Sequence, residues 1–212
     1  MPAIFTDEER EGLRHTMLDA GWTCLLERGY RAMRVEDIAR EAGIAPGTFY
    51  GFFASKGDFV AEMVAENRRA LMEELYGLVA QARRQGRAPE RAEVDAWMRA
   101  AWHSDRAIFR CVDVADFHKI RRALPGDVSM GPELAGGVLS SVAEAIAAAG
   151  GAPDAELAAS LQRVCALTLL ARDEFSPEVL ERTLDVLIDA TLDALYGRTQ
   201  EEVIQNQGDA DE

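Results

Sequence analysis

The chain is short of positive charge: its 212 residues hold 23 lysines and arginines against 37 aspartates and glutamates, a formal net charge of −14. That balance argues against any partner held by general attraction to a polyanion, because Lys and Arg against phosphate supply most of such affinity. No apolar run approaches the roughly 20 residues needed to cross a bilayer. The beginning is already polar at Thr6-Asp7-Glu8-Glu9, unlike a secretory leader. Membrane partners are therefore not expected. Cysteine is sparse, with Cys24, Cys111 and Cys165 far apart and no CxxC pair; this fits a reducing cytoplasm and buried thiols. No alternating strand pattern of any length occurs, and no internal repeat. HExxH, GxSxG and a glycine-rich phosphate loop are all missing, so no enzyme constellation is found. Asp113 and Asp116 share a helix face with His103 or His118 conceivably near, but such a pair on an acidic chain reads as a solvated face, and no metal or cofactor is expected. Cys111 beside Arg110 does not by itself make a reactive thiol.

What is present is helical periodicity, and one short stretch organises it. In VEDIAREAGIAPGTFYGFF (35–53), Val35, Ile38, Ala39 and Ala42 recur at helical spacing. Gly43 stands where a helix stops in the left-handed conformation. Pro46 takes a favoured first-turn position, and a second helix is predicted from Pro46 to Phe53. Two short helices joined through a glycine turn make a helix-turn-helix, whose second helix enters the DNA major groove. The alternative is two core helices meeting at a tight corner. Polar-tipped Thr48 and Tyr50, followed at once by Ser55-Lys56, favour phosphate contact instead.

Residues 17–60 resemble the DNA-binding domain of the tetracycline-repressor (TetR-like) family. The matching pieces are LDA in the first helix, Gly29-Tyr30 at its end, DIAREAGI, GTFY, and FFASK leading into a long helix. The resemblance covers about a fifth of the chain. It implies an all-α protein with a three-helix helix-turn-helix domain followed by a larger helical domain that binds a small-molecule effector and dimerises. It also implies phosphate contacts from Thr48, Tyr50 and Lys56, and base-edge positions for Ala45 and Pro46, with Gly47 beside them. The chain departs from the family at four places. Arg34 stands where a Thr or Ser caps the second helix, though it could serve as a phosphate clamp. Ala45 replaces a Ser cap, a loss worth about 1 kcal/mol of helix stability. Gly51 replaces a common His and Phe52 a common Tyr, removing two phosphate partners. Residues 1–58 carry 7 basic and 10 acidic side chains, so the reading head itself is not basic.

Along the rest of the chain, Thr6 with Glu9 predicts a capping box opening the first helix, and Leu13, Met17, Gly21, Cys24 and Leu25 give its buried stripe. Ser55 to Asp58 predicts the start of a helix reaching about Arg84, roughly 42 Å long. Helices follow from Glu90 to His103, Ser104 to Leu124, Glu133 to Ala149, Pro153 to Arg172 and, with a Ser176 cap, Ser176 to Tyr196. Trp97, Trp102, His103, Phe109, Phe117 and His118 are the candidate effector-pocket residues, since aromatics with a few polar groups suit a small-molecule site; their plain alternative is an aromatic core, as it is for Met98 and Met130. The last two helices carry more apolar surface than the roughly 100° stripe a helix needs for its own core. Leu161, Leu184, Leu187 and Ile188 are accordingly expected at a homodimer seam. The domain reading is 1–54 for the helix-turn-helix, 55–197 for the helical body and 198–212 for an acidic tail, expected to be disordered. The functional expectation is a ligand-responsive repressor on a palindromic double-stranded DNA operator. Its rival is a helical interaction protein of the same fold that has lost DNA affinity.

Overall fold

A computed structural model describes residues 6–128 and 137–197, and every regular element among the described residues is helical. No helix among them is long and apolar enough to cross a membrane. The acidic tail from residue 198 and Met130 lie outside the described residues.

Helix α1 (Asp7–Ala32) opens on the expected capping box: Thr6 accepts from the Glu9 amide while the Glu9 side chain accepts from the Thr6 amide. Its regular path ends at Gly29, whose φ of 73° lies in the left-handed region and breaks the helix. Met17, Gly21, Cys24 and Leu25 are buried as expected, while Leu13 is half-buried. Helix α2 (Val35–Glu41) buries Val35, Ile38 and Ala39. Gly43 (φ 69°) reverses the chain. The Ile44 amide then bonds the Ala39 carbonyl at 2.9 Å and the Gly43 amide that of Arg40 at 3.2 Å, which satisfies the last carbonyls of α2.

Helix α3 spans only Pro46–Phe49, shorter than the expected run to Phe53. The chain tightens after it: Gly51 and Phe52 bond three residues back, to Thr48 and Phe49, so Tyr50 to Phe52 form a turn. Helix α4 (Lys56–Arg84) runs unbroken through Gly77. Ser55 Oγ accepts from the Asp58 amide at 3.1 Å and donates to the Asp58 carboxylate at 2.7 Å.

Helix α5 (Arg91–His103) follows. The helix expected over 104–124 is instead two, α6 (Ile108–Cys111) and α7 (Val114–Ala123). The break comes from Asp113, whose carboxylate accepts from the Asp116 amide at 2.8 Å and caps a new start. A short 3-10 turn over Gly126–Val128 ends this segment. Helix α8 (Gly137–Ala148) precedes the Gly150-Gly151 corner. Helix α9 (Ala155–Leu170) is capped by Asp154, and a 3-10 turn over Arg172–Glu174 leads into α10 (Pro177–Tyr196). The Ser176 hydroxyl makes no cap bond, contrary to expectation, and Pro177 alone sets that start.

The chain falls into two compact units. The first is Met1–Arg69 with Asp105–Ser129, and the second Ala70–Ser104 with Met130–Glu212. The first thus extends past residue 54 and takes in a segment distant in sequence. The second is built on a core of Leu75, Val79, Val94, Met98, Val142, Ile188 and Leu192, with α9 and α10 packed as an antiparallel hairpin.

Candidate nucleic-acid interface

The short α3 rests on an aromatic base. Phe49, Phe53 and Phe59 are buried and pack ring to ring, with centroids 4.9 to 5.4 Å apart. Phe49 also meets Tyr50 edge-on at 5.4 Å. This base turns Ala45, Pro46, Gly47 and Tyr50 outward; all four are exposed, Tyr50 by 58%, and Thr48 is half-buried. A Cβ at Gly47 would meet nothing within 4 Å, so the front of α3 is an open surface. Its outer atoms are mostly methyl and methylene, suited to thymine methyls rather than to base hydrogen bonds. Ala45 makes no side-chain cap bond. Arg34 is exposed and gives α2 no cap bond either.

Lys56 departs from its expected role. Its ammonium donates to the Tyr30 carbonyl at 2.9 Å and the Met33 carbonyl at 3.1 Å, and lies 4.6 Å from the Tyr30 ring centroid. Burial holds it below the ordinary lysine range, against the opposing pull of Asp116. The side chain is thus a clamp on the chain between α1 and α2, with at most one N–H left for phosphate. Lys56→Met is expected to destabilise the free protein by about 1–3 kcal/mol, since two carbonyls lose a charged donor. A urea melt without DNA checks this; an unchanged midpoint would return Lys56 to phosphate contact alone.

A second clamp joins residues far apart in the sequence. Arg31 donates to Asp113 at 2.6 Å and to Asp116 at 2.9 Å, and Lys119 meets Asp116 from its own helix at 2.9 Å. Asp116 is only 3% exposed. Burial pushes its carboxyl up, but hydrogen bonds from Lys119 and Arg31 outweigh that and hold it below its ordinary range. The acidic pair is therefore a basic-residue anchor joining α7 to the end of α1. Arg106 adds a bond to Asp19 at 3.1 Å. Elsewhere Asp37, buried in α2, is met by Arg28 at 2.9 Å and by Arg40, whose hydrogen bond keeps the carboxyl low. Nothing in the spacing of Arg31, Asp113 and Asp116 signals that the fold brings together residues more than 80 apart.

The six candidate pocket residues divide between the units. In the second, Trp97 packs on the core and donates to the Leu71 carbonyl at 3.1 Å. Trp102 donates to Gln162 at 2.9 Å, and Gln162 reaches Thr191 at 3.2 Å, a bonded chain through a largely apolar interior. His103 lies between Glu181 (2.7 Å) and Asp185 (3.0 Å). In the first, the Phe109 and Phe117 rings meet at a tilt with centroids 5.1 Å apart, and the His118 ring centroid lies 6.2 Å from that of Phe117. Among the described residues, the buried Ser141 hydroxyl on α8 has no hydrogen-bond partner.

Two of the four seam residues are also placed otherwise than expected. Leu184 and Ile188 are fully buried within the protomer's own core, because they lie on the face of α10 turned to its neighbours. Leu161 and Leu187 are half-buried. The uncovered apolar face carries Leu157, Val164 and Leu167 on α9 with Val179 and Val186 on α10, all exposed.

Comparison with known proteins agrees with this geometry. The family described as bacterial regulatory proteins, tetR family, matches residues 17–63. The HTH-type transcriptional regulator YwcC of Bacillus subtilis (strain 168) is 36% identical over 77 residues, covering 36% of this chain and 34% of YwcC. The HTH-type transcriptional repressor KstR2 of Rhodococcus jostii (strain RHA1) is 40% identical over 68 residues, 32% of this chain and 31% of KstR2. The matched stretches thus span about a third of each relative. At the level of fold, the TetR transcriptional regulator SCO0520 from Streptomyces coelicolor aligns over 88% of this chain and 99% of its own, with TM-score 0.56 and 22% identity. The transcriptional regulator FadR from Bacillus subtilis, solved in complex with stearoyl-CoA, aligns over 87% and 99%, with TM-score 0.55 and 19% identity. Residues 17–63 of this chain are therefore similar in sequence to the tetR family of bacterial regulatory proteins, and the chain is similar in fold to a TetR transcriptional regulator.

Proposed function

We propose that the protein is a cytoplasmic DNA-binding transcriptional regulator, a ligand-responsive repressor that holds a palindromic operator as a homodimer. The observation that carries this reading is the outward face of α3. Ala45, Pro46, Gly47 and Tyr50 are presented together on a rigid aromatic base, as insertion into a major groove requires. Tyr50 and Thr48 supply phosphate contacts, Arg34 adds one from the start of α2, and the apolar front reads methyl groups. Effector binding is proposed in the second unit. Trp102, Gln162 and Thr191 supply polar atoms within its interior, and the unpartnered Ser141 hydroxyl offers one more. Phe109, Phe117 and His118 then serve as packing in the first unit. Dimerisation is proposed through the exposed apolar face of α9 and α10.

A second reading has its own support. Arg14, Arg28, Arg31 and Arg40 are each paired with carboxylates, which leaves little free positive charge and favours a helical interaction protein. Selection of duplexes from a random pool at low salt separates the two. Recovery of a palindrome supports the regulator, and no enrichment supports the rival. On a recovered palindrome, Tyr50→Phe is expected to weaken binding equally for all related sites, as loss of a phosphate contact should. A changed base preference at unchanged affinity would make Tyr50 a base reader.

A further inference from the structure

Seven basic residues precede position 59, and their partners differ in kind. Four are neutralised by carboxylates and Lys56 is turned onto carbonyls. Arg10 is held in another way. It stands on the first turns of α1, exposed, with one guanidinium nitrogen donating to the Gly51 carbonyl at 2.9 Å. Its guanidinium carbon lies 4.4 Å from the centroid of the Phe52 ring. Gly51 and Phe52 form the turn that leaves α3, immediately after exposed Tyr50, and neither has a polar side-chain atom. One of five guanidinium N–H groups is spent on Gly51. The contact with the Phe52 ring face holds the guanidinium in place without neutralising its charge.

We propose that Arg10 is a DNA-contacting residue: a guanidinium delivered from α1, braced on Gly51 and Phe52, that clamps a backbone phosphate beside the one met by Tyr50. This rests on the DNA-binding reading above. A planar guanidinium offers paired donors to phosphate oxygens. Holding it on an aromatic face removes rotamer freedom before DNA arrives, so less is lost on binding. The contact restores positive charge at a turn whose own side chains supply none. Asp7 and Glu8 stand on the same first turn, and Glu9 is turned back onto the Thr6 amide at 2.8 Å. The Arg10 charge therefore also keeps these acids from facing the duplex unopposed.

The experiment measures affinity for a duplex selected by the wild-type protein, at salt concentrations between about 50 and 200 mM, for wild type, Arg10→Met and Arg10→Lys. Each neutralised phosphate contributes about 0.9 to the slope of log K against log salt. A dimer losing one contact per protomer should show a slope shallower by roughly 2, with every site sequence weakened alike. Arg10→Met keeps an apolar stem over Phe52 and removes the charge, and it is expected to show that change; Arg10→Lys is expected to keep the wild-type slope. Weaker binding at an unchanged slope would make Arg10 a brace for the turn and overturn the proposal, as would unchanged binding. Should Arg10→Met not fold, Arg10→Gln, which keeps a donor for Gly51 but no charge, carries the same test. Failure of the wild-type protein to enrich any duplex would instead overturn the DNA reading beneath it.

Discussion

Leu167→Glu is expected to yield a folded monomer that no longer binds an operator. Leu167 is 60% exposed and Val186, on the neighbouring helix, 66% exposed. Leu157, Val164 and Val179 are also exposed on the two helices of the α9–α10 hairpin. Exposed apolar side chains gathered in this way mark an association surface. A two-fold interface demands a patch complementary to itself, which an apolar strip satisfies and a glutamate facing its own copy does not. Like charges brought together across an interface cost several kcal/mol, enough to abolish dimers at micromolar concentration. The protomer itself is spared, because Leu167 is solvated there already. Leu184→Glu is the contrast: that side chain is fully enclosed in the protomer, and the charge should unfold it. Sedimentation and circular dichroism of the two variants distinguish these outcomes. A Leu167→Glu protein that remains dimeric would put the seam elsewhere.

The second large effect is expected at Gly21. A Cβ there would lie 2.5 and 2.6 Å from ring atoms of Phe59 and 2.9 Å from the Met63 sulfur. The thioether can swing aside. The Phe59 ring cannot, because it is wedged against Phe49 and Phe53. Gly21→Ala should therefore cost about 1–3 kcal/mol by overpacking, and the displaced ring should disturb the base that carries α3. Trimming the obstruction tests the cause: Gly21→Ala with Phe59→Leu should cost less than the two single changes together. Strict additivity in urea melts would locate the effect in the helix backbone instead.

The reading head was legible because its signals are local. Thr6 and Glu9 sit three apart, Gly43 occupies a left-handed corner that few other residues tolerate, and Pro46 opens a first turn; each is decided within a few residues. What escaped is decided at a distance. Lys56 looked like a phosphate ligand beside a helix start, yet the carbonyls it satisfies belong to Tyr30 and Met33. The break before α7 was hidden in Asp113, which reads as a surface acid until its carboxylate is seen capping Asp116. On α10 the apolar periodicity marks a helix with a buried face, but a stripe does not say which of its edges faces inward. Leu184 and Ile188 went to the core, and Val179 and Val186 to the outside. Of the pocket aromatics, Trp97 and Trp102 fall in the second unit and Phe109 and Phe117 in the first, an assignment that closeness in sequence does not reveal.

The discontinuous make-up of the first unit decides how the DNA specificity proposed for it can be transplanted. A graft of residues 1–54, or of Met1–Arg69, onto a foreign body would carry Arg31 but leave Asp113 and Asp116 behind. The donated head would lose the anchor at the end of α1, and the remainder would keep a buried carboxylate answered by Lys119 alone. The exchangeable piece is Met1–Arg69 together with Asp105–Ser129, so a chimera needs two crossover points. Variation selected at residues 105–129 would then be inherited with the first unit, as a compatibility group rather than as part of the second.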